Sequence, residues 1–69
     1  MVDMTPVTSS NIAAIGYDGE TEELTIEFVS GDTYVYDGID PETYRALMAA
    51  PSKGAFFYAH IRSGSFRRE

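Results

Sequence analysis

An α+β fold is expected, with a three-stranded antiparallel β-meander followed by two short α-helices packed on one of its faces. Three observations predict it. In residues 23–28, Leu24, Ile26 and Phe28 alternate with Glu23, Thr25 and Glu27, the period of two of a strand with one buried face. A Ser30-Gly31 turn leads into the β-prone run Thr33-Tyr34-Val35-Tyr36, which closes a hairpin. The spacing then changes to helical after Asp40-Pro41-Glu42, with Tyr44, Leu47 and Met48 at i, i+3 and i+4.

Each element follows in order. Residues 1–8 read as a loose lead-in, and Ser9-Ser10-Asn11 as a polar break. Residues 12–17 are short and apolar and suit a first strand. Asp18-Gly19-Glu20-Thr21 is a turn, since Asp-Gly favours positive φ. The strands of the hairpin follow, over residues 24–28 and 32–37. Asp40 can cap the free N–H groups of the first helix, Pro41 suits its first position, and Glu42 sits at the positive end of its dipole. Pro51 stops that helix, and Ser52 can cap a second one over residues 53–62. Phe56, Phe57, His60 and Ile61 cluster on one side of it. Gly64 ends the pattern, leaving residues 65–69 as a tail or a short strand.

The chain has 69 residues, enough for one domain and no second. A domain this small buries only about 60% of the surface its unfolded chain exposes, and no cysteine is present to staple it. Five Tyr and four Phe offset this, because each buried ring removes about 150–250 Å² from water. Residues 1–6 lack a basic stretch followed by an apolar one, and no window approaches a membrane span. A soluble cytoplasmic protein is expected, with no membrane contact.

Charge is unevenly distributed. Residues 1–51 carry a net charge of −9, residues 52–69 a net of +3, and the whole chain −6. The acidic part repels phosphate backbones, whereas Lys53, Arg62, Arg67 and Arg68 form a local basic end.

The ordered set Ser9-Ser10-Asn11-Ile12, Gly16-Tyr17-Asp18, Leu24-Thr25-Ile26-Glu27-Phe28, Ser30-Gly31, Tyr34-Val35-Tyr36, Tyr44, Leu47, Ser52-Lys53-Gly54, Phe57 and Ile61-Arg62 resembles the KTSC domain. That module is named from the C-terminus of some lysyl-tRNA synthetases and also occurs as stand-alone bacterial and phage-type proteins. The resemblance runs from about residue 7 to residue 66. It implies the small α+β fold and the RNA binding suggested for the family.

Loop length decides where the tyrosines point, and two registers are open. A two-residue loop of Ser30 and Gly31 pairs Ile26 with Val35, and turns Tyr34 and Tyr36 outward beside Glu27 and Thr25. A three-residue loop with a left-handed Gly31 or Asp32 pairs Ile26 one residue earlier, and turns both tyrosines inward. Gly31 in second place favours the two-residue type I′ turn, although Ser30 is a weaker first residue than Asn or Asp.

No catalytic constellation emerges. His60 is the sole histidine and has no Cys, Asp or Glu at ligand spacing, so a structural role is expected and no metal or cofactor is assigned. The serines lack a nucleophile elbow, and Asp18, Glu20, Glu22 and Glu23 do not follow a calcium-loop pattern. Ser52-Lys53-Gly54 at a helix start offers one anion contact. The leading expectation is a non-catalytic module that binds RNA, with Tyr34 and Tyr36 stacking bases and Lys53, Arg62, Arg67 and Arg68 on phosphates. The alternatives are a protein-interaction or self-assembling module using a sheet edge, and an oligomer that holds a small nucleotide.

Overall fold

The computed structural model describes residues 3–61 and 66–68. The chain forms five strands and two helices: β1 (Met4–Pro6), β2 (Ile12–Asp18), β3 (Glu23–Phe28), β4 (Thr33–Tyr36), α1 (Pro41–Ala49), α2 (Lys53–His60) and β5 (Phe66–Arg68). The strands make one antiparallel sheet in the order β1-β2-β3-β4-β5. The α+β class and the meander at its centre are as expected. The sheet has five strands rather than three, because the lead-in and the tail each supply a three-residue edge strand.

Register follows the three-residue loop. Ile26 pairs with Tyr34, and Leu24 with Tyr36. The Gly31 N–H donates to the Phe28 carbonyl and the Phe28 N–H to the Asp32 carbonyl, both at 2.9 Å. Gly31 takes φ 101°, the left-handed residue that a three-residue hairpin loop places last. The loop therefore holds Val29, Ser30 and Gly31, and the outward register for Tyr34 and Tyr36 is corrected. Paired residues share a face, so both rings join Leu24, Ile26 and Phe28 on the helix side of the sheet.

A second irregularity lies in β2. Ile12 pairs with Phe28, but Ala14 pairs with Glu27, which leaves Ala13 as an extra residue. Ile12 and Ile15 lie an odd number apart and would face opposite ways in a regular strand. The bulge lets both point inward, and both are fully buried.

The core lies between the sheet and the helices. Ile12, Ile15, Leu24, Ile26 and Tyr36 from the sheet meet Ile39, Leu47, Phe57 and Ile61. The helix caps are those expected. Asp40 Oδ1 accepts from the Thr43 N–H at 2.8 Å, and Ser52 Oγ accepts from the Ala55 N–H at 3.3 Å. Ala50, just before Pro51, is extended at ψ 139°, as the ring of a following proline requires. The second helix stops at His60, short of the expected residue 62, with Ile61 as its cap.

The turn after β2 differs from expectation. Its left-handed residue is Glu22 at φ 59°, and not Gly19. The Ile39 N–H donates to the Glu22 carbonyl at 2.9 Å, which fixes that corner to the segment leading into α1.

Candidate functional site

Of the expected RNA-binding residues, Tyr36 lies in the core and Arg67 is ion-paired within the chain. Tyr36 is 3% exposed and meets Phe57 edge-on at 5.3 Å. Burial also pushes its phenol pKa up, with smaller contributions from Tyr34 and Tyr58. No base can stack on a ring in that position, so Tyr36 is a core residue. Tyr34 is half-buried, and one of its faces stacks on Phe66 at 5.3 Å with the planes 4° apart.

Two of the basic residues, Arg67 and Lys53, bond to groups of the chain itself. Arg67 pairs in register with Val35, on the sheet face away from the helices and from Tyr34. Its guanidinium bonds Glu23 Oε2 at 2.8 Å and Asp37 Oδ1 at 3.1 Å. It is thus engaged twice within the chain while its side chain stays half exposed. Lys53 is half-buried and its Nζ donates to the Ala50 carbonyl at 3.4 Å. Arg68 is the register partner of Tyr34. Arg62 lies outside the described residues.

The structure instead assembles a cleft between the β3–β4 hairpin and α2. Its volume is about 320 Å³, and Asn11, Phe28, Val29, Ser30, Asp32, Tyr34 and Tyr58 line it. Phe28 and Tyr34 meet edge to face at 5.9 Å. Tyr58, 57% exposed, and Val29, 61% exposed, stand at the open side. Asp32 is half-buried and accepts from the Ser30 hydroxyl at 3.5 Å.

Asn11 holds the floor together. Its backbone carbonyl accepts from the Val29 N–H at 3.0 Å, tying the start of β2 to the hairpin loop. Its side-chain Oδ1 accepts from the Ser9 hydroxyl at 3.1 Å. The same oxygen lies where a Cβ on Gly54 would come within 2.6 Å, so the first turn of α2 needs a glycine there. The Ser-Ser-Asn and Ser-Lys-Gly triplets therefore meet across the fold, and one role of Gly54 is to admit Asn11.

Sequence reading passed over Asn11 and Tyr58 as site residues. Tyr58 carried a usable signal. It follows Phe57 by one residue, about 100° round the helix from the buried side, so a large ring there must meet solvent or a partner.

Two other hollows are acidic. One, of about 610 Å³, is lined by Asp3, Thr5, Tyr17, Asp18, Gly19, Glu20 and Tyr44. Tyr17 stacks on Tyr44 at 4.5 Å and donates its hydroxyl to the Ile39 carbonyl. Burial raises its pKa, and the nearby carboxylates Glu22 and Asp40 add to that. The other hollow places exposed His60, packed on Phe56, near Asp40 and Glu42. Among the described residues no three metal-ligating side chains gather.

The family model of the KTSC domain matches residues 8–66. This chain belongs to the KTSC family. A crystal structure of a KTSC domain protein from Yersinia pestis superposes with a TM-score of 0.93 at 37% identity, covering 100% of this chain and 99% of that one. A protein of Stutzerimonas stutzeri is 43% identical over 59 residues, which is 86% of this chain and 83% of its own length. A lysine–tRNA ligase of Nostoc punctiforme is 42% identical over 60 residues, which is 87% of this chain but 10% of the ligase. The KTSC fold thus occurs both nearly alone and as a small part of a much larger enzyme. Among the described residues of this chain, no helix is long and apolar enough to cross a membrane.

Proposed function

We propose that this KTSC domain is a non-catalytic binding module that docks a segment of a partner protein in the cleft between the hairpin and α2. One observation carries the reading. Four large apolar residues are exposed among the described residues; two of them line this cleft and a third stands beside it. Val29 and Tyr58 line it, and Phe66 stacks on Tyr34 in its wall. Exposed rings concentrated at one place mark protein interfaces more than they mark ordinary surface. A photo-crosslinking side chain at Tyr58 tests this. It should trap one polypeptide in cells, and the same group at exposed Arg45 should not; equal trapping at both refutes the site.

A second reading, RNA binding, draws support from the match to lysine–tRNA ligases. Under it, Tyr34 and Tyr58 would receive one unpaired base, and Lys53, Arg62 and Arg68 would meet phosphates. Three phosphates on a single strand give a log–log salt slope of about −2. Filter binding at low salt checks it, and a thermal-shift screen with nucleotides separates it from a small-nucleotide site. Self-assembly through a sheet edge is now confined to β1 and β5, each three residues long, and Pro6 removes one donor from β1. Sedimentation across micromolar concentrations tests that variant.

A further inference from the structure

We propose that β5 is a displaceable strap beside the cleft, and that an extended segment of the partner protein, an aromatic residue followed by a basic one, takes its place on β4. The inference rests on reading the cleft as a protein-docking site. It adds how that site opens and what the docked segment looks like.

β5 is held lightly. It is three residues long, lies at the sheet edge and pairs with β4. Phe66 is 53% exposed, Arg67 is exposed too, and the described core has no member in this strand. Its grip comes from two faces. On the helix side, the Phe66 ring lies on Tyr34 at 5.3 Å and beside Tyr36 at 5.5 Å. On the other face, Arg67 bonds Glu23 and Asp37, and the three side chains of this latch are 53%, 32% and 49% exposed. Ion pairs in that setting contribute little and are screened by salt. Edge elements with few buried contacts open without the rest of a domain.

Release would uncover one face of Tyr34, the backbone edge of β4, and the carboxylates of Glu23 and Asp37. The first adjoins the cleft, since Tyr34 is one of its walls. The second follows from register. The Phe28 N–H donates to the Asp32 carbonyl, so Asp32, Tyr34 and Tyr36 direct their backbone groups to β3, and Val35 directs its own to β5. The third sets the charge of a replacement. β5 itself shows what this edge accepts: a ring toward the helices and a guanidinium toward Glu23 and Asp37. A wholly apolar strand would bring no cation to these carboxylates, and an RNA strand would be repelled by them. A second copy's β5 would repeat contacts the chain already makes and forgo the advantage of tethering. A partner segment gains the exposed Val29 and Tyr58 of the adjoining cleft in addition.

Amide hydrogen exchange of the full chain, followed by NMR, is the test. Tyr34 and Val35 are neighbours on β4, but only the Val35 amide relies on β5. Val35 should exchange about tenfold faster than Tyr34. Salt at about 0.5 M should widen that gap. Arg67→Gln should widen it about fivefold and leave Tyr34 unchanged. The peptide Ac-Gly-Ser-Phe-Arg-Arg-Glu-NH2, added to the Arg67→Gln protein, should slow Val35 again and shift the Tyr34 ring signals. Versions with serine for the phenylalanine, or glutamate for the first arginine, should do neither. Equal exchange at Val35 and Tyr34 in every condition means that β5 leaves only with the whole fold, and it overturns the proposal. So does a Val35 that no peptide slows, or that all three slow equally. Slowing by protein concentration alone overturns it in favour of a second copy. In each of these cases a partner trapped at Tyr58 and not at Arg45 leaves the cleft reading standing. Equal trapping at both sites removes that reading whatever the exchange shows.

Discussion

Replacing Gly31 with alanine tests the feature that decides every face of the hairpin. Gly31 has φ 101°. A Cβ there would meet nothing within 4 Å, so the substitution adds no clash and isolates backbone strain. A left-handed L-residue costs roughly 1–2 kcal/mol. The chain has one escape, which is to slip to the two-residue loop. That slip would turn Tyr34 and Tyr36 out to solvent and separate Tyr36 from Phe57. Exposing one large buried side chain costs about 1.5–3 kcal/mol, and the slip exposes more than one, so the strained native register wins. Gly31→Ala should therefore lower stability by about 1–2 kcal/mol, and each kcal/mol lowers the Tm by about 4–8 °C in a domain this size. Asparagine, which tolerates this conformation better, should recover part of the loss. Ser30→Ala, on the exposed loop, should stay within about 0.5 kcal/mol. The assay is thermal unfolding followed by circular dichroism, with cross-strand NOEs between Ile26 and Tyr34 as the register check. An alanine variant as stable as the parent, with asparagine no better and NOEs linking Ile26 to Val35, would refute the three-residue loop.

Other expectations can be checked alongside. Gly54→Ala gains about 0.5–1 kcal/mol in helix propensity but forces Asn11 aside at about 1–3 kcal/mol, for a net loss near 1 kcal/mol. In an Asn11→Ala background the same change should become neutral or stabilising, which a double-mutant cycle by urea denaturation would show. Leu47 is fully buried beneath the sheet, so Leu47→Ala should cost about 2–5 kcal/mol, a large share of a small domain's stability. The pH profile should fall at both ends. Hydrogen bonds from Thr43 hold the Asp40 carboxyl below its ordinary range, and the Arg67 hydrogen bond does the same for Glu23. Their contribution is present above the unfolded carboxylate pKa of about 4 and is lost as pH drops through the lower folded values. Burial raises Tyr17 and Tyr36, so their contribution is complete below about pH 10 and is lost as pH climbs through the folded values. Denaturation midpoints across pH test both limbs, and Asp40→Asn should flatten part of the acid limb.

What the sequence disclosed was local. The alternation of residues 23–28, the Asp40 cap and the Ser52 cap each act within a few residues, and each is found where expected. The loop parity was not decidable, because Ser30-Gly31 serves a two-residue turn and the end of a three-residue one equally well. The bulge at Ala13 was hidden in the apolar run Ile12-Ala13-Ala14-Ile15, where no alternation marks the extra residue. The strand Met4–Pro6 contains a proline and owes its structure to pairing with β2, and no propensity announces it. The cleft was least legible. It joins Asn11, the hairpin and Tyr58, which are distant in sequence and are brought together by the Asn11–Val29 hydrogen bond, the space left by Gly54 and the Phe28–Phe57 ring contact.

The geometry also reassigns the Tyr34-Val35-Tyr36 signature. Tyr36 packs edge-on to Phe57 of α2, and Tyr34 stacks on Phe66 of β5. The two rings thus fasten the second helix and the last strand to the centre of the sheet, a structural task that needs aromatic residues at alternate positions of one strand. Part of the Tyr34 ring stays accessible at the rim of the cleft, where Val29 and Tyr58 are exposed. All the residues of that rim lie between 11 and 58, inside the family-matched span of 8–66. Under the proposed docking, exchanging Val29 or Tyr58 should alter what is held, while the Tyr36–Phe57 packing beneath stays the same.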